Sequence, residues 1–324
     1  MTILPRLFAA VILITQLVSF SPGCIDEPAK VFVTPSPTAL PVSVSRTVID
    51  DLDRRVEFRG TPHRIVALSP ATVEILFSVG VSPIGRPSGA EYPEAAKQVT
   101  VIGAMHRPNY ERITELKPDL VVGNAVPNDP RIPQLEKLDT PSVFFSTNSY
   151  ADFLKTTKAV GQIVDRETEA RRAITTLEDR MAAIKVKIPT EKPTVLVLLG
   201  GGNIIYCALP ASYVGGLVRE LGATNIAYGP EDKRYRGFTQ CSLERLLERD
   251  PEVIIAIRPS VSPERAPSVL RALEADQRWR DWKSIRARRL HEVSPLLFLQ
   301  NPGLRVGDAM TEIAAILYPK SFPK

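Results

Sequence analysis

The chain has 324 residues, of which 44% are hydrophobic, and its 41 basic and 36 acidic residues give a formal net charge of +5. This length suits about two domains, and the composition is that of a soluble globular body. The charge is too mild, and too little interleaved with aromatics, for a nucleic-acid footprint, so no nucleic acid is expected as a partner. The most basic stretch, RWRDWKSIRARR at 278–289, is typical of a solvated helix face with inward-packed tryptophans.

Residues 1–23 are predicted to be a secretory signal peptide. Arg6 precedes an apolar run from residue 7 to residue 20, which is short for a membrane span of about 20 residues but suits the central part of a signal. The stretch SFSPGC resembles a bacterial lipobox, although Ser21 and Pro22 depart from its usual residues. We expect lipidation of Cys24, with simple signal cleavage as the alternative. The proline-rich segment 24–45 is then a tether.

The first α/β lobe is predicted over residues 46–150. The stretch TPHRIVALSP predicts a buried strand, and ATVEILFSVG a helix that ends at Gly80. PIGRPS predicts another strand, NYERITELK a helix, DLVVG a strand, residues near 131–138 a helix, and SVFFS a strand. Strands that alternate with helices indicate βαβ units and a mainly parallel sheet.

A linking helix is predicted over residues 151–190. The segment 149–188 contains no proline, and an apolar stripe runs from Phe153 and Val160 to Leu177 and Met181 at helical spacing. The pattern favours one long helix, with a break possible near Asp165. A single helical connection limits the lobes to small relative motions.

The alternation of strands and helices begins again in residues 191–324, the predicted second lobe. TVLVLLGGG predicts a strand, SYVGGLVRELGA a helix that ends at Gly222, and SLERLLERD another helix. EVIIAI and RRLHEVS predict strands, and RVGDAMTEIAAILYP the last helix. The fold class is therefore α/β, with two lobes that each contain a mainly parallel sheet flanked by helices and that are joined by one long backbone helix.

The sequence argues against an enzyme. None of the three histidines lies in a metal-ligand motif, and the glycine run after the TVLVLL strand fails the dinucleotide pattern at Ile205. No nucleophile elbow, phosphate-binding loop or zinc-protease motif occurs. Cys207 and Cys241 either pair or remain free thiols, and without neighbouring histidines they make a poor zinc site. We expect no catalytic residues, no resident metal and no cofactor.

Several stretches together resemble a known family. RTVIDDLDRRVEFRGTPHRIVALSPATVEILFSVGVSPIGR, YPEAA, ERITELKPDLVVG, SYVGGLVRELGATNIA, ERLLERDPEVIIA and WKSIRARRLHEV follow in the order seen in periplasmic binding proteins for iron-siderophores, haem and cobalamin. These are the helical-backbone receptors of ABC importers, and the resemblance covers about residues 46–319. It implies an exported receptor whose ligand lies between two lobes and whose partners are a permease dimer and its ATPase. We expect a monomer held at the membrane by the lipid anchor.

The resemblance also implies roles for two glutamates. Glu111 and Glu244 open the similar phrases ERITELKPDLVVG and ERLLERDPEVIIA, one in each lobe. In the family, such glutamates dock into arginine pockets on the permease. Each glutamate is also favourable at a helix N-terminus, by about 0.3–1 kcal/mol, whatever else it does.

Positions that match ligand-contacting segments of the family supply the candidate binding site. These are Arg86, Met105, His106, Arg107 and Asn124 in the first lobe, and Tyr206, Arg236, Phe238 and Asn301 in the second. The arginines suit carboxylate or catecholate groups, which favours a ferric siderophore as the metal chelate. Haem or a corrinoid is the next choice, with His106 as a possible iron ligand. A non-transport surface interaction module on the same fold is the alternative from another class.

Overall fold

The computed structural model describes residues 45–126, 129–201, 204–232, 236–241, 249–258, 277–299 and 302–323, together with Val269 and Leu273. The predicted signal peptide, Cys24 and the tether up to residue 44 lie outside these residues. The same holds for Glu244 and Asn301, and for the predicted helix SLERLLERD except its last two residues. In the described parts of the chain, no helix is both long enough and apolar enough to cross a membrane.

The first sheet is entirely parallel and contains five strands. The strands of this half are β1 Ser45–Ile49, β2 Arg55–Arg59, β3 Ile65–Ala67, β4 Gly85–Arg86, β5 Thr100–Val101, β6 Gly103–Ala104, β7 Arg107–Pro108, β8 Leu120–Asn124 and β9 Ser142–Phe145. The sheet order is β5-β4-β3-β8-β9, while β1 pairs with β2 and β6 with β7 in two separate antiparallel hairpins. The predicted parallel sheet is present, and the two hairpins are additions that the sequence did not predict.

The helices of this half are α1 Pro70–Ser78, α2 Tyr110–Glu115 and α3 Ile132–Leu135, with 3-10 turns at Glu94–Gln98 and Glu136–Leu138. Helix α1 begins at the end of the stretch TPHRIVALSP, directly before the predicted helix ATVEILFSVG. Ser69 caps it by accepting a hydrogen bond from the Thr72 amide, and Pro70 occupies the first turn, where its missing N–H costs nothing. Gly80, at φ +78°, follows the end of the helix and turns the chain away, as predicted.

Two helices, rather than one, connect the lobes. They are α4 Tyr150–Ile163 and α5 Glu167–Lys185, which pack against each other. The break falls at Asp165, whose backbone adopts the left-handed conformation at φ +53° and whose carboxylate pairs with Arg46 at 2.7 Å. The single long helix is therefore interrupted at the point where the sequence allows a break.

The second sheet is mixed. Its strands are β10 Thr194–Gly201, β11 Ile204–Ala208, β12 Thr224–Asn225, β13 Phe238–Gln240, β14 Val253–Ile257 and β15 Leu290–Val293. Strand β10 pairs in parallel with β12 and β14, and β14 pairs in parallel with β15. Strand β11 pairs antiparallel with both β10 and β13. The helices of this half whose bounds lie among the described residues are α6 Tyr213–Glu220, α7 Lys283–Arg286, α8 Pro295–Phe298 and α9 Val306–Leu317.

Alternate residues of the central strands bury opposite faces of each sheet. In β10, Val195, Val197 and Leu199 join one apolar cluster, while Leu196 and Leu198 join another on the other side. The first of these clusters also contains Ile65 and Ala67 of β3 and residues of α4, α5 and α9. A continuous apolar core therefore runs through both lobes and the linking helices, which resists large separation of the lobes.

Candidate functional site

The carboxyl ends of the parallel strands define the candidate site. In the first lobe, β3, β4, β8 and β9 all run in the same direction, so the segments that follow Ala67, Arg86, Asn124 and Phe145 leave the sheet along one edge. Ligands of open α/β sheets bind beyond this edge. The predicted ligand residues Arg86, Met105, His106, Arg107 and Asn124 lie at it or in the hairpin that follows β5.

The β6–β7 hairpin presents two of the predicted residues at its tip. Gly103 pairs with Pro108 and Ala104 with Arg107, so Met105 and His106 form the two-residue turn. Met105 is half-buried, and His106 and Arg107 are exposed. Gly103, at φ +102°, leaves no room for a side chain, because an added Cβ would lie 2.6 Å from the Arg107 carbonyl oxygen.

An ion pair in the segment after β8 holds this tip. Arg131 Nε donates to both carboxylate oxygens of Asp129 at 2.9 Å, and Arg131 Nη1 donates to the Met105 carbonyl oxygen at 2.6 Å. The side chains of Arg131 and Asp129 are only 13% and 4% exposed. The hairpin is therefore anchored to the sheet edge by a charged and largely buried contact.

Arg86 is buried rather than open to a ligand. Its guanidinium donates to the carbonyl oxygens of Pro87, Ser88 and Lys97, and the residue is 5% exposed. These contacts fasten the loop after β4, and this placement favours a structural role. Asn124 is also buried, and its side-chain oxygen accepts a hydrogen bond from Thr147 at 3.0 Å.

In the second lobe, the predicted residues lie on the antiparallel extension of the sheet. Tyr206 on β11 and Phe238 on β13 are buried, whereas Arg236, just before β13, is exposed. Cys207 and Cys241 form a disulfide that joins these neighbouring strands, which decides between the two states that the sequence left open. Of this set, the structure leaves Arg236 the most accessible to a ligand.

The two halves meet at a polar contact that the sequence did not reveal. Arg305, just before α9, donates from Nε and Nη2 to Glu74 Oε1 on α1 at 3.0 and 2.6 Å. Its guanidinium also lies 4.3 Å from the ring centroid of Tyr92, an exposed residue of the loop after β4. Gly303 permits this approach, since an added Cβ would lie 2.5 Å from Glu74 Cβ.

Burial sets the charge properties of this junction. It raises the pKa of Glu74, although hydrogen bonds and the charge of Arg305 act in the opposite direction. Glu74 Oε2 and the hydroxyl of Tyr213 on α6 are buried and have no hydrogen-bond partner among the described residues. Burial, and then the charge of Glu74, raise the pKa of Tyr213 well above its ordinary value. The contact thus joins the halves through the buried carboxylate of Glu74, which would destabilise the fold if it lost its partner Arg305.

Comparison with known proteins agrees with this architecture. The profile of a family described as periplasmic binding protein matches residues 65–295. The chain belongs to the periplasmic binding protein family. It is therefore a substrate-binding protein of the receptor class that serves ABC importers, as the sequence predicts, and the family's members are solute receptors rather than enzymes.

Three relatives illustrate the similarity. The haem uptake protein IsdE of Staphylococcus aureus MRSA252 is 24% identical over 79% of this chain and 87% of its own length. The haem-binding protein RhuT of Roseiflexus, solved in apo form, is 26% identical with a TM-score of 0.67, over 81% of this chain and 100% of that one. The siderophore-binding protein FhuD of Vibrio cholerae, solved with Fe3+-Desferal, is 20% identical with a TM-score of 0.64, over 79% and 97% of the two chains.

One of the two expected docking residues of a periplasmic binding protein can be placed. Glu111 lies in the first turn of α2, is exposed, and follows the helix cap Asn109, whose side chain accepts from the Arg112 amide. Its position is thus compatible with both a helix-capping charge and a contact with another protein. Glu244 lies outside the described residues.

No pattern in the sequence marks Tyr92, Asp129, Arg131 or Arg305 as residues near the site. Tyr92 stands in the quoted YPEAA stretch, but nothing there shows that its ring lies against an arginine from the other half. Asp129 and Arg131 flank Pro130 in a loop, where a polar pair is ordinary. In the described residues, no group of three or more histidine, cysteine, aspartate or glutamate residues forms a metal site.

Proposed function

We propose that this protein is an extracytoplasmic receptor that binds an iron chelate between its lobes and delivers it to an ABC importer, with haem as the preferred chelate. The observation that carries the proposal is the β6–β7 hairpin, which places Met105 and His106 side by side at the carboxyl edge of the first sheet. Methionine and histidine side chains are both ligands of haem iron in proteins. Tyr92, an exposed phenol on the neighbouring loop, is a third group of this kind.

The charges near the site suit haem better than a catecholate siderophore. A catecholate chelate would be served by several converging arginines, but Arg86 is buried and engaged with backbone carbonyls. Arg107 and Arg236 remain exposed, one in each half of the chain. Two arginines match the two propionates of a haem, because guanidinium groups pair well with carboxylates.

The relatives support the same choice. IsdE is by name a haem uptake protein and RhuT a haem-binding one, and RhuT shares 26% of its sequence with this chain. FhuD, at 20% identity, supports the fold alone. Haem therefore replaces the ferric siderophore as the first candidate, and siderophores and cobalamin become outcomes of the test.

A binding titration tests the proposal. Hemin added to the purified protein should bind with one-to-one stoichiometry and shift the Soret band, while ferric hydroxamate, ferric catecholate and cobalamin should leave the intrinsic fluorescence unchanged. Met105→Ala and His106→Ala are the informative variants, since loss of an iron ligand should weaken binding by about tenfold or more. His63→Ala is the matched control, because His63 is exposed at the opposite, amino edge of β3. Saturable binding of a siderophore without a response to hemin would contradict the choice of haem.

We further propose that Glu111 and Glu244 dock onto the permease. An exposed ion pair contributes only about 0–1 kcal/mol, so the two contacts orient the receptor and speed its encounter more than they hold it. The double variant Glu111→Arg, Glu244→Arg should abolish uptake with ligand affinity nearly unchanged. Glu115→Arg makes the same charge change at an exposed position of α2 and should transport normally. Equal loss of ligand affinity and uptake in the double variant would refute the docking role.

The domain bounds and the membrane anchor also stand as proposals. A signal peptide over 1–23, lipidation at Cys24 and a tether to residue 45 would hold the receptor at the outer face of the membrane. Mass spectrometry of the N-terminal peptide from membranes would show a diacylglycerol adduct on Cys24. An N-terminus without a lipid would instead support simple cleavage.

A further inference from the structure

We infer that Arg131 and Asp129 are positioning residues that fix the ligand-facing tip of the β6–β7 hairpin, an inference that rests on the proposed chelate-binding function. The tip consists of Met105 and His106. Its backbone is held from outside the hairpin by Arg131, which donates from Nη1 to the Met105 carbonyl oxygen at 2.6 Å. Arg131 is in turn held by Asp129, so the pair acts as one unit.

The hairpin needs such a support because its own pairing is small. Strands β6 and β7 contain two residues each, and their register consists of the pairs Gly103–Pro108 and Ala104–Arg107. An isolated two-stranded hairpin is marginally stable even when it is longer. A hydrogen bond from a charged donor to the turn residue itself is stronger than one between neutral groups.

The support is rigid because the ion pair is locally closed. Asp129 Oδ1 accepts from the backbone amide of Arg131 at 2.9 Å and also from its Nε at 2.9 Å. Arg131 Nη2 completes the pair with Asp129 Oδ2. With the aspartate 5% exposed, the guanidinium is fixed in orientation, and its remaining nitrogen is directed at Met105.

A second arginine–aspartate pair in the same lobe provides the matched control. Arg54 pairs with Asp50 at 2.6 Å and donates to the Ser142 carbonyl oxygen at 2.8 Å, so its chemistry repeats that of Arg131. However, Ser142 begins β9 at the amino edge of the sheet, away from the hairpin. If the Arg131 pair only stabilised the fold, alanine substitutions of Arg131 and Arg54 would have the same effect on hemin binding.

Hemin titrations and thermal unfolding of Arg131→Ala, Arg131→Lys and Arg54→Ala test this inference. Arg131→Ala should bind hemin about 10–100-fold more weakly with an altered Soret band, and Arg131→Lys should recover part of the affinity. Arg54→Ala should unfold at a lower temperature but bind hemin with wild-type affinity and spectrum. Wild-type affinity and spectrum in Arg131→Ala would overturn the inference. It would also be overturned if both alanine variants lost hemin affinity in proportion to their loss of thermal stability.

Hydrogen exchange separates this inference from the proposed function. If the wild-type protein does not bind hemin, the haem proposal fails, but the amides of residues 103–107 still report on the hairpin without a ligand. Faster exchange there in Arg131→Ala, and not in Arg54→Ala, supports positioning of the tip. Unchanged exchange in Arg131→Ala overturns it.

Discussion

The two lobes follow one α/β plan but stabilise the additions to their sheets by different means. The first sheet is fully parallel, and its β6–β7 hairpin is held by the Arg131–Asp129 ion pair and a hydrogen bond. The second sheet extends through antiparallel β11 and β13, which the Cys207–Cys241 disulfide joins covalently. A shared framework of parallel strands therefore leaves the additions at its edges free to differ in chemistry and in their sensitivity to redox conditions.

The largest loss of stability is expected at the contact between Glu74 and Arg305, which joins the two halves. Arg305→Leu leaves the buried carboxylate of Glu74 without its partner, and loss of one member of a buried pair costs about 3–5 kcal/mol. Urea unfolding should show this loss at neutral pH. Glu74→Gln with Arg305→Leu, which removes the unpaired charge, should recover part of it. A loss in Arg305→Leu below about 1 kcal/mol, as for an exposed pair, would show that the junction is not a buried contact.

The same junction predicts a pH dependence. Burial raises the pKa of Glu74, so the folded protein binds a proton more readily than the unfolded chain does. The stabilisation from this group is therefore complete below the unfolded pKa and is lost as pH rises through the folded pKa. In Arg305→Leu, protonation also removes the unpaired charge, so the cost of this substitution should shrink as the pH is lowered. A cost that stays constant with pH would contradict the assignment to Glu74.

A slightly smaller loss is expected in the second lobe alone. The disulfide closes a loop with a sequence separation of 34 residues, for which the chain-entropy estimate is about 3–4 kcal/mol. Cys207→Ala with Cys241→Ala should lower the free energy of unfolding by about that amount, and a reducing agent should lower it in the wild type but not in the variant. Hydrogen exchange in the first sheet should change little. An equal loss of protection in both sheets would remove the distinction between the lobes.

The smallest changes in stability are expected from alanine substitutions at two glycines, one closely packed and one with open space beside it. In the first lobe, Gly123→Ala places a Cβ 2.8 Å from the Phe144 ring, and such overpacking costs about 1–3 kcal/mol. In the second lobe, Gly216→Ala lies inside α6 with Arg219 Nη2 as its nearest neighbour at 4.0 Å, so it should stabilise the helix by about 0.5–1 kcal/mol. Thermal unfolding of the two variants should therefore shift in opposite directions. Shifts of the same sign would contradict this account of the packing.

The strands and helices with a clear hydrophobic period were predictable from the sequence. Strands β3, β8, β10 and β14 and helices α1 and α9 appear where the pattern placed them, because each buries a whole face or both faces. Strands β11 and β13 were missed, since an antiparallel extension depends on its partner strand rather than on its own period. The two-residue strands of the β6–β7 hairpin are too short to give any pattern.

The site was less predictable than the fold, for a physical reason. A sequence shows that Arg86 follows a strand, but only the folded loop shows that backbone carbonyls surround its guanidinium. The pairing of Glu74 with Arg305 joins residues more than two hundred positions apart. Such contacts are selected by the way that loops from different strands converge, which local residue patterns do not encode.

A crystal structure of the protein with one equivalent of hemin would show directly whether haem binds at the β6–β7 hairpin. We predict a haem between the loops at the carboxyl edges of the two sheets, with its iron bonded to Met105 or His106 and with Arg131 still donating to the Met105 carbonyl oxygen. A haem bound away from the β6–β7 hairpin, or iron bonded to a residue outside the cleft, would contradict the account.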